Sequence, residues 1–291
     1  MDCFSNSESK FLSRKMLSND FNNFALIIGA MKSGTTTLFD YLAQHPEISQ
    51  STPKEPNFFA CDTNFSQGID WYRGLWNFDP NHHKIALEAS THYTKIPGFP
   101  NAAERIESVE GNFKFIYILR DPIERIESQY THSLSATWKL NDDPSSQLVN
   151  SHAINVSRYA KQIKEYYNRF PAESILLLDF NDLKQRPLQL LAEVCRFLEI
   201  DPDFQFTLKA ASNKSKGKII DGPMWHLVGP LTKFLPDHQR NQTRRFLGKT
   251  INQKVHLSDK QREFVLNELK DDLLKLKSEY SFDISKWKMY F

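Results

Sequence analysis

A polar loop near the start of the chain has the residue types of an anion-binding turn. Its sequence is Gly29-Ala-Met-Lys-Ser-Gly-Thr-Thr-Thr37, and an apolar run that begins at Asn23 leads directly into it. Glycine allows tight turning and close approach of the backbone to a ligand. Lysine supplies a full charge, and the hydroxyls can donate hydrogen bonds. The candidate anion ligands are Lys32, Ser33, Gly34, Thr35, Thr36 and Thr37.

The position of the lysine bears on which anion the loop binds. In a nucleoside triphosphate loop of the form G-x-x-x-x-G-K-[ST], the lysine directly follows the second glycine. Here Thr35 occupies that place, and Lys32 lies before Ser33-Gly34. This spacing argues against a kinase or NTPase, which stays open as an alternative because Asp179, at the end of an apolar run, could bind magnesium.

Two further segments carry residues that could do chemistry. A Lys-Glu-Pro sequence in a loop is most often a surface turn. In Lys54-Glu55-Pro, however, Glu55 could also act as a base. Arg120 stands between an apolar run and the helix-start pair Asp121-Pro122, where it could bind a phosphate through two hydrogen bonds or pair with Asp121. Arg125, one turn into that helix, could either contact the ligand or form a structural ion pair.

Taken together, these segments resemble the signatures of sulfotransferases that use 3′-phosphoadenosine 5′-phosphosulfate (PAPS), and specifically the heparan-sulfate-type branch. The loop at Lys32 resembles K-x-G-T-[ST], and Lys54 to Phe59 resembles K-E-x-x-F-F. Gly68 to Tyr72 resembles G-x-x-W-Y, and Arg120 to Tyr130 resembles R-[DE]-P-x-x-R-x-x-S-x-Y. The resemblance extends over roughly residues 24 to 287, so the chain is expected to be a soluble member of this family.

The resemblance implies a role for individual residues. Lys32 would stabilise the bridging oxygen of PAPS, and the loop after it would hold the 5′-phosphate. Glu55 would take the proton from the acceptor. The residues expected to lie near the 3′-phosphate or the nucleotide are Arg120, Ser128, Tyr159, Lys216 and Gly217. No metal is expected, because a sulfonate carries less charge than a γ-phosphate.

One segment departs from the family pattern. Where the family has E-K-S-P-x-Y, this chain has Glu88-Ala-Ser-Thr-His-Tyr93, so a lysine often found near the sulfonate is replaced by Ala89. His92 lies close to the place from which small-molecule sulfotransferases supply a histidine base. Glu55 and His92 therefore compete for the role of base, and Glu55 is favoured.

The elements that must position these residues follow from hydrophobic patterning. Apolar runs at 23–29, 84–88, 113–119 and 174–179 are short enough for buried strands and alternate with helical patterns at 35–43, 157–170 and 187–199. A Ser258/Gln261 capping box predicts one more helix. This alternation predicts an α/β fold with a central parallel sheet flanked by helices and a P-loop-like strand-turn-helix.

Composition limits the remaining possibilities. The chain has 291 residues, 37 basic and 35 acidic side chains and three cysteines, and this length predicts one domain, at 23–291. The first 22 residues are rich in Ser, Asn and charge, which predicts a flexible arm. The near balance of charge disfavours nucleic acid as a partner. The few cysteines and the lack of an apolar stretch of about 20 residues favour a cytoplasmic protein with no membrane span.

The expected partners are the nucleotide donor and an acceptor hydroxyl or amine on a small metabolite or a carbohydrate. A non-catalytic nucleotide-binding protein is a third alternative. Six aromatic side chains would either line an acceptor cleft or pack in the core. They are Phe58, Phe59, Trp71, Tyr72, Trp76 and Phe78.

Overall fold

The computed structural model describes residues 21–136, 149–208 and 254–287, together with isolated positions between 219 and 250. The chain divides into two compact units. Of the described residues, the first unit contains 21–120, Arg158–Leu208 and Asp272–Lys286, and the second contains 121–136, 149–157, those between 219 and 271, and Trp287. The predicted extent of a single domain, 23–291, stays a prediction.

The first unit is built on a five-stranded parallel sheet with the order β2-β3-β1-β4-β5. A two-stranded antiparallel sheet, β6-β7, lies in the second unit. The strands are β1 (Asn23–Gly29), β2 (Ile48–Gln50), β3 (Ile85–Ala89), β4 (Asn112–Leu119), β5 (Ile175–Asp179), β6 (Ile219–Ile220) and β7 (Lys249–Thr250).

The described helices surround the large sheet or belong to the second unit. They are α1 (Thr35–Leu42), α2 (Asp62–Phe65), α3 (Gly68–Arg73), α4 (Ala102–Glu107), α5 (Pro122–Ala136), α6 (Ser151–Ser157), α7 (Tyr159–Tyr167), α8 (Phe180–Gln185), α9 (Pro187–Leu198) and α10 (Asp259–Glu279). Two short 3₁₀ turns occupy Thr91–Thr94 and Ala172–Ser174. This architecture confirms the predicted α/β fold class.

The central strands are buried on both faces, as expected for a parallel sheet covered by helices. In β1 only Asn23 is exposed, and all of β3 is buried. One face packs against α1 and α9 through leucines such as Leu38 and Leu191. The four apolar runs therefore form strands because each is short, apolar and covered. The edge strand β2 was not predicted, since its three residues carry no readable pattern.

The other face of the sheet carries an aromatic cluster. The Phe24 ring stacks on Phe113 at 5.1 Å, and the Phe58 ring stacks on Tyr72 at 4.6 Å. Phe58, Phe59, Tyr72 and Trp76 are all buried. These four side chains of the candidate acceptor cleft are core residues, whose burial stabilises the fold through the hydrophobic effect.

Helix ends follow the sequence signals with one exception. Asp121 accepts the Glu124 N–H at 3.0 Å and so caps the start of α5, as predicted. The Ser258/Gln261 capping box also forms, with the Ser258 N–H donating to Gln261 Oε1 at 2.9 Å. The helix predicted over 157–170 forms as α7 and is shorter than predicted: Arg158, with φ −79° and ψ 75°, is its N-cap, and the helix ends at Tyr167.

Gly34 is the position where the loop depends most on the absence of a side chain. Its φ is +89°, and a β-carbon there would lie 2.6 Å from the Phe180 ring. Gly68 offers a matched control, because its φ is +82° and a β-carbon there would have no neighbour within 4 Å.

We predict that Gly34→Ala lowers the free energy of unfolding more than Gly68→Ala. Both variants incur the left-handed backbone strain of about 1–2 kcal/mol, and Gly34→Ala alone adds an overpacking cost of about 1–3 kcal/mol. Denaturant unfolding of the two variants measures the difference. Equal losses would show that the Phe180 ring moves aside without cost.

Candidate active site at the carboxyl edge of the sheet

Three neighbouring strands end at the same edge of the sheet, and the candidate residues lie directly after those ends. β1 lies between β3 and β4, with Ile27 opposite Ala89 and Ile116. The loop with Lys32 leaves β1, the turn with His92 leaves β3, and Arg120 leaves β4. Ligands bind at the carboxyl ends of strands in open α/β sheets, so this edge is the candidate active site.

The loop after β1 has the features of an anion site. Gly34 is the N-cap of α1, and the first turn of any helix leaves its N–H groups without intrahelical partners, at the positive end of the dipole. The Ser33 side chain is fully buried, and its hydroxyl has no hydrogen-bond partner among the described residues. A buried hydroxyl in this state fits a loop whose remaining partner is a ligand.

The exposure of the predicted loop residues differs from position to position. Thr35 is buried, Thr37 is half-buried and Thr36 is exposed, while Lys32 is half-buried with a φ of 71°. Within this predicted set, the structure thus brings the lysine, the N-terminal amides of α1 and the threonine hydroxyls into one short turn.

Arg120 is linked directly to this loop. Its Nη1 donates to the main-chain carbonyl of Lys32 at 3.1 Å, and its guanidinium lies over the Phe180 ring at 5.0 Å. The buried Tyr159 hydroxyl donates to the Arg120 carbonyl at 2.7 Å. The structure therefore joins three predicted site residues, and it gives Tyr159 the place of a support for Arg120.

Ser128 belongs to the second unit. It lies half-buried on α5, seven residues from Asp121 and hence on the same helix face. Arg125 is fully buried on this helix, where its guanidinium donates to Ser157 Oγ at 2.8 Å and to the Ala153 carbonyl at 2.7 Å. These bonds tie α5 to α6 and give Arg125 a structural role.

Glu55 lies beside the end of β3. The Ala89 N–H donates to the Lys54 carbonyl at 3.1 Å, which holds this segment against the strand. The ammonium group of Lys54 forms an ion pair with Glu55 Oε1 at 3.0 Å and lies over the Phe39 ring at 5.7 Å. The Glu55 side chain is 36% exposed, so it is open to a substrate as well as to Lys54.

His92 and Glu55 are linked through Asn57. Asn57 Oδ1 lies 2.8 Å from His92 Nδ1, and Asn57 Nδ2 donates to the Glu55 carbonyl at 3.2 Å. The Asn57 N–H donates to Ser90 Oγ at 3.1 Å. Thus hydrogen bonds through Asn57 connect the two candidate bases, which lie on separate segments of the chain. Sequence analysis missed Asn57, which fills a variable position of the motif.

Glu88 is a second site feature that sequence analysis missed. Its carboxyl group is fully buried at the end of β3, and neither oxygen has hydrogen-bond geometry with a described residue. Burial raises its pKa to about 8, an effect that the nearby Tyr93 and Tyr72 hydroxyls oppose and the charge of Glu55 reinforces. Glu88 is therefore protonated at neutral pH.

The remaining site residues stay predictions. Lys216 and Gly217 lie outside the described residues, as do residues 1–20 of the expected flexible arm. Asp179, the magnesium ligand of the kinase alternative, accepts the Asn181 N–H at 2.7 Å and caps α8. Within the described parts of the chain, no group of three or more acidic, histidine or cysteine side chains could hold a metal.

Membrane insertion depends on the length and polarity of the helices. Among the residues that the structure describes, no helix combines the length and apolar character that a bilayer span requires. The predicted cytoplasmic location stays a prediction.

Comparisons with known proteins agree with this geometry. Residues 23–218 match the family model described as "Sulfotransferase domain". The chain is 28% identical over 244 residues to the bifunctional heparan sulfate N-deacetylase/N-sulfotransferase 1 of Caenorhabditis elegans, covering 76% of this chain and 27% of that protein. It is 32% identical over 190 residues to the heparan sulfate glucosamine 3-O-sulfotransferase 5 of Mus musculus, covering 61% and 54%.

A solved structure supports the fold. The crystal structure of a sulfotransferase from Alicyclobacillus acidocaldarius aligns with a TM-score of 0.63 at 21% identity, covering 92% of this chain and 99% of that one.

The site and the family model together define a protein of the sulfonate-transferring class. The chain belongs to the sulfotransferase family, as its sequence motifs predicted. The expectation of a PAPS-dependent enzyme is thereby confirmed at the level of the family. The matched region spans 27% and 54% of the two relatives' own lengths, so their full activities do not transfer with the family.

The buried Glu88 predicts a specific pH dependence of stability. Because its folded-state pKa of about 8 lies above the ordinary value of 4.5, the folded protein keeps a proton that the unfolded chain releases. The contribution of Glu88 to the free energy of unfolding is therefore largest below the ordinary pKa of 4.5, and it falls as pH rises towards 8.

We expect Glu88→Gln to remove this loss, because the amide preserves shape and cannot ionise. The free energy of unfolding of the variant should exceed that of the unaltered protein by an amount that grows between pH 5 and pH 8 to on the order of 4 kcal/mol. Denaturant unfolding at several pH values measures it. Parallel stability curves for the two proteins would contradict a buried, neutral carboxyl group.

Proposed function

We propose that the protein transfers a sulfonate group from PAPS to a hydroxyl or amine of an acceptor. The single observation that carries this proposal is the arrangement at one sheet edge: an anion-binding loop bonded to Arg120 on one side, and a carboxylate and a histidine joined by Asn57 on the other. Such an edge can hold a donor and handle an acceptor's proton.

Donor binding would use the network around the loop. The α1 amides with Ser33, Gly34, Thr35, Thr36 and Thr37 would hold the 5′-phosphate, since they converge at the start of a helix. Arg120, kept in place by Lys32, Phe180 and Tyr159, would bind the 3′-phosphate. Ser128 is proposed at this phosphate from the motif alone. Lys216 and Gly217 are proposed at the same phosphate from the motif alone.

The transfer itself would depend on positioning and electrostatics, as in phosphoryl transfer. When bound, PAPS supplies the sulfonate and a bisphosphate leaving group. Lys32 would stabilise the negative charge that develops on the bridging oxygen. Because a sulfonate carries less charge than a γ-phosphate, we propose that these side chains suffice without a metal.

On the acceptor side, Glu55 would take the proton from the attacking hydroxyl or amine. Its carboxylate is part exposed, and the Lys54 ion pair fixes one oxygen and so limits the rotamers of the side chain. His92 is the alternative base. It is half-buried and lies in the 3₁₀ turn that follows β3.

The acceptor class rests on two relatives. Their names specify heparan sulfate and glucosamine, which favours a carbohydrate or an amino sugar over other hydroxylated metabolites. A screen with labelled donor over glucosamine-containing saccharides and small hydroxylated or aminated metabolites tests this. Label transfer to a saccharide supports the carbohydrate class, whereas transfer only to other metabolites overturns it.

The donor assignment predicts a thermal shift. The product 3′-phosphoadenosine 5′-phosphate should raise the melting temperature without magnesium, because a ligand at one hundred times its Kd stabilises the native state by about 2.7 kcal/mol. ATP with magnesium is the comparison. If ATP with magnesium stabilises the protein and the bisphosphate does not, the kinase alternative is correct.

The role of Arg120 predicts a selective loss. Arg120→Ala should weaken binding of PAPS far more than binding of adenosine 5′-phosphosulfate, which lacks the 3′-phosphate, because only PAPS offers the group that the guanidinium would bind. Arg196→Ala, on the exposed face of α9, is the control and should change neither affinity. Calorimetry measures both ligands, and equal losses would remove Arg120 from the 3′-phosphate.

The role of Glu55 predicts a loss of rate without a loss of donor affinity. Glu55→Gln should lower turnover of an acceptor found in the screen by about 10²–10⁴, the contribution of a positioned base. His92→Ala is measured in parallel, with donor affinity as the check on folding. Near-normal turnover in Glu55→Gln and none in His92→Ala would assign the base to His92.

A further inference from the structure

Asn57 has an unusual combination of features for a loop residue. It is 5% exposed, and its φ of 50° lies in the left-handed region, which asparagine tolerates better than most residues. Its main-chain N–H is bonded to Ser90 Oγ, and both ends of its amide are bonded as well. A residue whose main chain is bonded once and whose side-chain amide is bonded at both ends has one orientation.

The hydrogen-bond partners determine which way the amide faces. A main-chain carbonyl can only accept, so the atom 3.2 Å from the Glu55 carbonyl must be the donor Nδ2. The reverse orientation would set two oxygens against each other. Oδ1 therefore faces His92 Nδ1 at 2.8 Å.

This orientation in turn determines the tautomer of His92. Oδ1 has no hydrogen, so His92 Nδ1 must carry the proton that joins the two atoms. In the neutral imidazole the other nitrogen, Nε2, then holds the lone pair. The ring also packs edge-on against Phe99 at 4.5 Å, which restricts its rotation.

We propose that Asn57 is a positioning residue that holds His92 as its Nδ1-protonated tautomer, so that Nε2 is the nitrogen able to accept a hydrogen bond or proton from the acceptor. The catalytic role of this tautomer rests on the proposed function. The same amide anchors the main chain of Glu55, so one side chain sets the positions of both proton-handling groups.

The tautomer can be measured without any turnover. Nitrogen-15 NMR distinguishes a protonated ring nitrogen from one with a lone pair, and the spectrum of His92→Ala identifies the His92 signals among those of the nine histidines. At a pH where the ring is neutral, the unaltered protein should show the proton on Nδ1. A proton on Nε2 overturns the proposal.

Two variants then test the part played by Asn57. Asn57→Gly removes the amide and keeps a residue suited to the left-handed backbone, so it should lose the single tautomer. Asn57→Asp keeps an acceptor oxygen and should retain the proton on Nδ1. An unchanged tautomer in Asn57→Gly contradicts a positioning role, and unchanged bisphosphate affinity in both variants confirms that the donor side is intact.

Turnover separates this proposal from the proposed function. Asn57→Gly should lower turnover by at least about 10-fold, within the span that a positioned proton-transfer group contributes, while Asn57→Asp retains more of it. If Asn57→Gly loses the single tautomer but keeps full turnover, the positioning of His92 does not contribute to catalysis. If the unaltered protein transfers no sulfonate at all, the proposed function fails, whereas the tautomer result still decides whether Asn57 positions His92.

Discussion

The site depends on the placement of β1 between β3 and β4. Parallel pairing brings the carboxyl ends of all three strands to one edge, and further hydrogen bonds hold the segments that leave those ends. The Ala30 N–H donates to the Ile118 carbonyl at 2.8 Å, and Thr94 Oγ1 donates to the Ile28 carbonyl at 2.8 Å. The anion loop, the turn with His92 and the start of the Arg120 segment are thus fixed to the same strand end.

This arrangement separates two kinds of chemistry while keeping them adjacent. The β1 and β4 ends carry cationic and amide groups that suit phosphate oxygens, and the β3 end carries carboxyl and imidazole groups that suit protons. The neutral state of Glu88 belongs to this division. Because burial keeps its carboxyl group protonated, it adds no negative charge beneath an edge that would bind an anionic donor.

The fold was largely accessible from sequence, because four of the five strands of the large sheet are short apolar runs and the helix caps are local signals. The hydrogen bond between Arg120 and the Lys32 carbonyl was not predicted, because the motifs assign both residues only to the same donor. Asn57 and Glu88 could not be found in this way. Asn57 matters because of its bonds to Ser90 and His92, more than 30 residues away, and Glu88 matters because of its burial, neither of which the residue type reveals. The start of α7 at Tyr159, two residues later than predicted, depends on the backbone conformation of Arg158, which the hydrophobic pattern does not report.

The Phe180 ring has a consequence for how this sequence can vary. One face of the site uses it twice: the ring fills the space beside Gly34, where a β-carbon would come within 2.6 Å, and it supports the guanidinium of Arg120 at 5.0 Å. A homologue that carries a side chain at position 34 would need a smaller residue at position 180, and would then lose the platform under its arginine. Positions 34, 120 and 180 should therefore change together or not at all over evolutionary time, although they lie in three separate stretches of the chain.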